Sequence, residues 1–298
     1  MRSWSLLGPI TALGVDVGGT KVEVGLIDVE GRVLHRQRAV TIADDGEAFW
    51  SVLAGLAEGV LAEGARHGIR PSVVGVGCGG PMSAGGVLVS PLNITGWRGF
   101  PLRARLAELT GLPAFVDNDA KALALAEGWR GAAVAHDDYL AMVVSTGVGG
   151  GLVVDGRLLD GATGNAGHIG HVIVEPNGRV CGCGAQGCLE AEASGTAIAR
   201  ITGRPAAEAG EDVRVRTGTL VGRAVASVVA ALDLRLACVA GSVALGFGDL
   251  FFDAAQAELD RSARLEFAHG VRIVRAGCGD EGPLVGAAAV GLRGLAAS

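Results

Sequence analysis

Two glycine-rich segments of this chain have the composition of loops that bind phosphate groups. The first reads Asp16-Val17-Gly18-Gly19-Thr20-Lys21, and the second reads Ser145-Thr146-Gly147-Val148-Gly149-Gly150-Gly151. Glycines let backbone N–H groups approach an anion closely, Thr20 offers a hydroxyl, and the Asp16 carboxylate can hold Mg²⁺ through water. Neither segment has the Gly-Lys-Ser/Thr ending of a Walker loop. An ordinary glycine hairpin would explain either segment alone, so it is their repetition that favours phosphate binding.

A polar run, Asp117-Asn118-Asp119, stands where a predicted strand over 114–116 meets a predicted helix. Ligands of open α/β sheets bind at the carboxyl ends of strands, so Asp119 is placed to act as a general base. A helix cap would also favour Asx residues here, although one of them would suffice for it. Lys121, just inside the helix, is expected to be a solvated side chain.

Three of the six cysteines lie within eight residues, and a histidine lies ten positions before the first of them. The four residues are His171, Cys181, Cys183 and Cys188. Three thiolates and one imidazole make a closed tetrahedral set, which is the composition of a structural zinc site without an open position for catalysis. The alternative is three buried free cysteines and a surface histidine.

The elements that must position these groups alternate between strands and helices, which predicts an α/β fold. The first half opens with strands over 12–17 and 21–28, joined by the first glycine segment. The pattern restarts with a strand over 139–145, a glycine loop over 146–151 and a returning strand over 152–155. Because Asp16 and Ser145 mark equivalent corners 129 positions apart, we expect two facing lobes with a ligand cleft between them.

Later in the chain, helical spacing of apolar residues predicts a helix over 220–234 and a final helix over 283–295. A strand is expected over 236–240. The intervening segment 202–219 contains proline, glycine and mixed charges, and it is expected to be a mobile loop.

Composition excludes several classes of protein. Of 298 residues 50 are glycine without a collagen period, and 49% are hydrophobic, which is too apolar for a disordered chain. The net charge of −6 argues against a nucleic-acid partner and favours a small molecule. The uncharged stretch 139–154 is shorter than the roughly 20 residues of a spanning helix, so no membrane partner is expected. Arg2 and the uncharged residues that follow it up to Val15 are similar to a short signal peptide but lack a cleavage pattern, so a cytoplasmic location is expected.

In this order, the motifs resemble the ROK family of bacterial sugar kinases (repressors, open reading frames and kinases). The most specific element is His171 followed by Cys181-Gly-Cys183-Gly-Ala-Gln-Gly-Cys188-Leu-Glu190. The resemblance implies the actin-like ATPase fold, which is related to ribonuclease H. It also implies an N-terminal lobe over 1–117, completed by a C-terminal helix at about 283–298, and a second lobe over 118–282 that carries the zinc-binding segment.

The resemblance further implies a role for individual residues, with Asp119 as the catalytic base. The residues expected to bind the sugar are Asn93, Asn118, Asp119, His168, His171 and Glu190. Those expected to bind the nucleotide are Asp16, Gly18, Gly19, Thr20, Lys21, Thr146, Gly147, Gly149, Gly241 and Gly286. The implied cofactors are ATP, Mg²⁺ and a structural Zn²⁺ held by His171, Cys181, Cys183 and Cys188.

The activity implied is phosphorylation of the 6-hydroxyl of a hexose, with glucose as the first candidate. N-acetylmannosamine is the alternative, because His168 stands where most family members have glutamate and the family's N-acetylmannosamine kinases also carry Gly-His-Ile-Gly-His. A non-catalytic sugar-binding regulator is a distant alternative, and polyphosphate could replace ATP as the donor. The family also implies a homodimer or homotetramer.

Overall fold

The computed structural model describes residues 10–298, so most of the segment similar to a signal peptide lies outside the described residues. The strands are β1 (Ala12–Val17), β2 (Lys21–Ile27), β3 (Val33–Val40), β4 (Val73–Cys78), β5 (Ala114–Asn118), β6 (Tyr139–Val144), β7 (Val148–Val154), β8 (Arg157–Leu158), β9 (Leu236–Ala240) and β10 (Arg272–Arg275). The α-helices are α1 (Gly46–Arg66), α2 (Leu102–Thr110), α3 (Asp119–Arg130), α4 (Leu189–Ala193), α5 (Gly195–Thr202), α6 (Glu211–Leu232), α7 (Ser242–Phe247), α8 (Asp249–Ser262) and α9 (Gly282–Ala297).

The chain divides into two compact units. The first runs up to Gly131 and is completed by Cys278–Ser298, and the second is Ala132–Gly277. The boundary falls after Gly131, whereas the family resemblance implied a boundary after Asp117. The reason is packing, because α3 lies against α9 and so belongs to the first unit.

The sheet of the first unit has the order β3-β2-β1-β4-β5. Strands β1, β2 and β3 are antiparallel neighbours, whereas β4 and β5 run parallel to β1. Every residue of β1 and of β4 is buried, as expected for central strands covered on both faces. Helix α1 packs against β2 and β3, and α9 packs against β1, β4 and β5.

The sheet of the second unit repeats this arrangement, with the order β10-β9-β6-β7-β8. Strands β6, β9 and β10 are parallel, while β7 and β8 complete an antiparallel meander. Each unit thus opens with two antiparallel strands joined by a glycine turn, which is the repetition that the two glycine-rich segments indicate.

Two of the predicted loops are shorter than the sequence suggested. Strand β7 begins at Val148, so Gly149 lies in a strand and only the first part of the predicted 146–151 loop is a turn. Helix α6 begins at Glu211, so the second half of the predicted 202–219 loop is helical. Gly218 suggested a loop, but a Cβ there would collide with the carbonyl oxygen of Phe251 in α8. That glycine therefore allows two helices to pack closely.

Length and apolar composition alone would allow α1 and α6 to cross a membrane. Both helices have packing partners within their own units, since α1 lies on β2 and β3 and α6 lies on α8. Two helices of this kind are weak evidence for a membrane-spanning protein.

Candidate functional site

The first glycine turn joins β1 to β2 and is closed by a hydrogen bond from Gly18 N to the carbonyl oxygen of Lys21, at 3.0 Å. Gly19 and Thr20 are exposed at its tip. Asn93 lies against this turn, because a Cβ on Gly19 would come 2.8 Å from the Asn93 Cβ. The first unit therefore brings Asn93, a predicted sugar-binding residue, next to a predicted phosphate loop.

Asp16 and Asp119 lie on either side of one glycine. A Cβ on Gly77 would lie 3.9 Å from Asp16 Oδ1 and 3.8 Å from the Cα of Asp119. The pKa of Asp16 is raised to about 7, first by burial and then by the negative charges of Asp119 and Glu23, while Lys21 acts to lower it. A buried carboxylate with this pKa is poised to bind a cation, which would favour its charged form.

Lys21, predicted to bind the nucleotide, is held by two acidic neighbours. Its Nζ lies 2.6 Å from Glu23 Oε2 and 3.8 Å from Asp280 Oδ1. Glu23 is fully buried beside Asp16 in the β1–β2 pair, and its other oxygen lies 3.6 Å from Arg38 Nε. These contacts fix the lysine at the end of the glycine turn.

The three polar residues at the end of β5 have different tasks. Asn118 caps α3, since its side chain accepts a hydrogen bond from Ala120 N at 3.0 Å. Asp117 forms an ion pair with Lys121, in which Oδ1 lies 3.0 Å from Nζ. The prediction of a solvated Lys121 is wrong, because that side chain is only 3% exposed and reaches back from α3 to the carboxylate of Asp117 in β5. Asp119 is exposed at the first position of the helix.

The second glycine turn joins β6 to β7, and Glu190 is bound to it. Glu190 Oε2 accepts a hydrogen bond from Val148 N at 2.9 Å, and a Cβ on Gly147 would come equally close to the same oxygen. Thr196 donates to the carbonyl oxygen of Thr146 from both its N–H and its hydroxyl. The motif assigned Glu190 to the sugar but gave no signal for its bond to the turn, because that bond joins residues 42 positions apart.

The four predicted zinc ligands come together in one cluster. One ligand atom from each of His171, Cys181, Cys183 and Cys188 lies within 4.8 Å of the others. His171 Nδ1 is 3.7 Å from Cys181 Sγ, and the sulfurs of Cys183 and Cys188 are also 3.7 Å apart. Bonds of about 2.0–2.3 Å to a central ion would place tetrahedral ligands at such separations, so the donor set fits zinc.

His168 stands at the start of the short turn that leads to the cluster. The preceding Gly167 has a positive φ of 100°, and a Cβ there would collide with the carbonyl oxygen of Gly150 in β7. The turn is therefore pressed onto the strand that follows the second glycine turn. The His168 side chain is exposed, and its ring centre lies 5.9 Å from that of His171.

Gly241 and Gly286, both predicted to bind the nucleotide, differ in their surroundings. Gly241 has a positive φ of 101° and lies against the end of β6, where a Cβ would collide with the carbonyl oxygen of Val144. The next residue, Ser242, is hydrogen-bonded to Ser145 of the second glycine turn, so Gly241 belongs to that group. Gly286 is buried where α9 meets α3, against the carbonyl oxygen of Ala122, so helix packing alone explains its glycine.

The model of the ROK family matches residues 12–293, and the chain therefore belongs to the ROK family. The two mixed sheets covered by helices are those of the actin-like ATPase fold, as the resemblance implied. A ROK family glucokinase from Streptomyces griseus, solved in complex with glucose and AMPPNP, has the same fold with a TM-score of 0.79 and 29% sequence identity. That similarity covers 95% of this chain and 99% of the glucokinase.

Two named relatives differ in substrate. The chain is 42% identical over 191 residues to a glucokinase of Thermotoga maritima, a match covering 63% of this chain and 59% of that enzyme. The chain thus spans less than two thirds of the length of that glucokinase. It is 38% identical over 258 residues to an N-acetylmannosamine kinase of Citrobacter koseri, which covers 81% of this chain and 86% of that enzyme.

Proposed function

We propose that this protein is an ATP-dependent hexose kinase that phosphorylates the 6-hydroxyl of glucose. The observation that carries the proposal is the position of Asp119, an exposed carboxylate at the end of β5 beside the buried carboxylate of Asp16. Membership of the ROK family and the glucose and AMPPNP complex of a ROK glucokinase support the same activity.

Asp119 is proposed to accept the proton of the 6-hydroxyl as the oxygen attacks the γ-phosphorus of ATP. Its place at the start of α3 stabilises a negative charge through the helix dipole. Asp16 fits the role of a Mg²⁺ ligand acting through water. Bound Mg²⁺ would neutralise charge that develops on the transferred phosphoryl group. Lys21 is held close to Asp16 by Glu23 and would supply a positive charge at the same turn.

The other proposed sugar-binding residues have hydrogen-bonding groups left for a ligand. The oxygen of Asn118 caps the helix, which leaves its amide N–H groups as donors. His171 turns Nδ1 towards the cysteines, which leaves Nε2 for a hydroxyl. Glu190 uses Oε2 for the second glycine turn, so Oε1 can accept from the sugar. Asn93 and His168 are both exposed.

The nucleotide is proposed to use the two glycine turns. In each, backbone N–H groups and a threonine hydroxyl would contact phosphate oxygens. The residues concerned in the first unit are Gly18, Gly19, Thr20 and Lys21. Those in the second unit are Thr146 and Gly147 of the turn, Gly149 at the start of β7 and Gly241 after β9. Gly286 is proposed to act only indirectly, by letting α9 approach α3.

Zinc is proposed to have a structural task in the second unit. With His171, Cys181, Cys183 and Cys188 as ligands, it would hold the segment that carries His168 and Glu190. Cys183 is exposed, and a hydrogen bond from the Ala185 backbone N–H lowers the pKa of its thiol, which favours the thiolate that binds metal.

N-acetylmannosamine is the second candidate substrate, and His168 is the observation that favours it. Neutral imidazole offers one donor and one acceptor, so it can donate to the carbonyl of an acetamido group, which a carboxylate cannot do. The relative from Citrobacter koseri, matched over most of its length, is an N-acetylmannosamine kinase.

The test is a coupled assay of ADP release with glucose, mannose, N-acetylglucosamine and N-acetylmannosamine, followed by phosphorus NMR of the product. We expect glucose to give the highest kcat/KM and the phosphate to be on carbon 6. Polyphosphate in place of ATP is expected to give no product. A preference for N-acetylmannosamine would select the second candidate, and no turnover of any sugar would refute kinase activity.

Asp119→Asn tests the catalytic base, because the amide keeps the size of the side chain but cannot accept the proton. We expect kcat to fall by about 10² to 10⁴ while sugar affinity changes by less than a few fold. Asp253→Asn, in an exposed aspartate of α8, is the matched control and is expected to retain wild-type kcat. More than about a tenth of kcat retained in Asp119→Asn would refute the assignment.

The proposed enzyme acts in the cytoplasm as a homodimer or homotetramer. A reducing compartment keeps thiols free for metal, which supports the location, and the oligomeric state follows the family resemblance. Light scattering coupled to size-exclusion chromatography measures the mass of the assembly, and a monomeric mass would refute it.

A further inference from the structure

The second unit contains a basic cavity of about 620 Å³ that the proposed kinase reaction does not use. The polar side chains in its wall are two arginines and two histidines, namely His136, Arg235, His269 and Arg272. The remaining lining residues are Ala132, Leu236, Gly270, Val271 and Val274, so the part of the chain that the structure describes places no acidic residue in the wall. Two of these side chains are permanently charged guanidinium groups, in a chain whose net charge is −6.

Arg235 is held in place, whereas Arg272 is available to a ligand. Arg235 donates from Nη1 to the carbonyl oxygen of Phe267 at 2.7 Å and pairs with Asp233 at 3.2 Å. Arg272 is exposed, and within residues 10–298 no hydrogen bond or ion pair engages its guanidinium. A guanidinium without a counter-ion beside a second, pre-oriented one favours an anion in the cavity.

The cavity lies at the amino ends of the parallel strands of this sheet, whereas the second glycine turn lies at their carboxyl ends. Leu236 and Arg272 are the first residues of the parallel strands β9 and β10 and are paired in register. The second glycine turn and Gly241 instead follow the carboxyl ends of β6 and β9. The two ends of β9, which has five residues, lie about 13 Å apart at 3.3 Å per residue. The cavity is therefore separate from the proposed nucleotide site.

We propose that this cavity binds a phosphate group, either as inorganic phosphate or as the phosphate of a small monoester. A guanidinium offers two parallel N–H donors that match two phosphate oxygens, and each histidine ring offers a further N–H. Val271 and Val274 supply apolar surface for the organic part of an ester. The volume lies within the range of small-molecule sites. This inference goes beyond the proposed kinase activity and does not depend on it.

Isothermal titration calorimetry with inorganic phosphate and with glycerol 3-phosphate tests the proposal. Neither compound is a product of a hexose kinase acting on its sugar. We expect saturable binding of at least one of them, with an affinity lowered about tenfold or more by Arg272→Gln. Tighter binding of the ester would identify a monoester site, whereas equal binding would identify recognition of the phosphate group alone.

Arg157→Gln is the matched control, because Arg157 is an exposed arginine in β8, at the other edge of the same sheet. It removes the same charge and is expected to change the affinity by less than about twofold. His269→Ala is a second variant that removes another donor of the cavity wall. Thermal unfolding confirms that each variant is folded. No saturable binding below about 10 mM, or equal affinities in Arg272→Gln and Arg157→Gln, would overturn the proposal.

Discussion

Replacement of Asp16 by asparagine is expected to remove a pH-dependent cost of folding. In the folded protein this side chain is buried, and its pKa is raised from 3.8 to about 7, first by burial and then by the charges of Asp119 and Glu23. An aspartate of the unfolded chain titrates near its ordinary value. Between these two values the folded state therefore keeps a proton that the unfolded state has released.

The sign of the effect follows from this difference in bound protons. Because the folded state binds the extra proton, the free energy of unfolding falls as the pH rises through the window. The contribution of Asp16 is fully present below about pH 4 and is lost as the pH rises through about 7. Since one pKa unit corresponds to about 1.4 kcal/mol, the loss between pH 5 and pH 8 is about 2.5 kcal/mol. Asparagine does not titrate, so the Asp16→Asn variant does not lose this part of the free energy of unfolding.

The measurement is urea unfolding at pH 5 and pH 8 without Mg²⁺ or nucleotide, followed by tryptophan fluorescence. Trp50, Trp97 and Trp129 lie in the described part of the first unit, and the sequence has no tryptophan after Gly131, so the signal does not come from the second unit. Relative to the wild type, Asp16→Asn is expected to gain about 2.5 kcal/mol between the two pH values. Asp44→Asn, in an exposed aspartate of the same unit, is expected to follow the wild type. Wild-type and Asp16→Asn curves that stay parallel within about 0.5 kcal/mol would refute the reasoning.

Three further outcomes are expected. His168→Glu should change the ratio of kcat/KM between glucose and N-acetylmannosamine by about tenfold or more, because one polar contact to a sugar is worth about 1–3 kcal/mol. The KM for ATP should stay unchanged, and an unchanged sugar ratio would mean that His168 only packs in the turn. Zinc analysis should give one equivalent per chain, and chelation should lower the Tm together with activity; far less than one equivalent in fully active protein would contradict this. Lys121→Met should lower the free energy of unfolding by about 3 kcal/mol, because it removes a buried partner of Asp117; a loss below about 0.5 kcal/mol would fit the solvated lysine of the sequence analysis.

The sequence was most informative where a feature depends on neighbours along the chain. The ligand spacing of Cys181, Cys183 and Cys188 predicted a cluster that the structure forms, because thiols so close in sequence can meet through one short loop. The glycine turns were placed correctly for the same reason, since a tight turn needs only the residues on either side of it. The alternation of strands and helices likewise indicated an α/β fold.

The sequence was misleading where tertiary contacts override local preference. Lys121 looked like a solvated helix residue, yet its position beside Asp117 buries it. Gly218 suggested a loop, whereas α8 requires a small residue there. The bond from Glu190 to the second glycine turn had no local signal at all. In each case the deciding partner lies on another element of secondary structure.

The return of α9 to the first unit imposes an order on how this chain can fold during synthesis. Strands β1 and β4 are synthesised before the second unit, but α9, the helix that covers them, is synthesised only after it. The second unit is continuous, from Ala132 to Gly277, and all of it emerges before α9 does. Domains fold as units while translation proceeds. The inserted unit can therefore complete its core first, while part of the apolar sheet of the first unit stays uncovered until α9 has been synthesised.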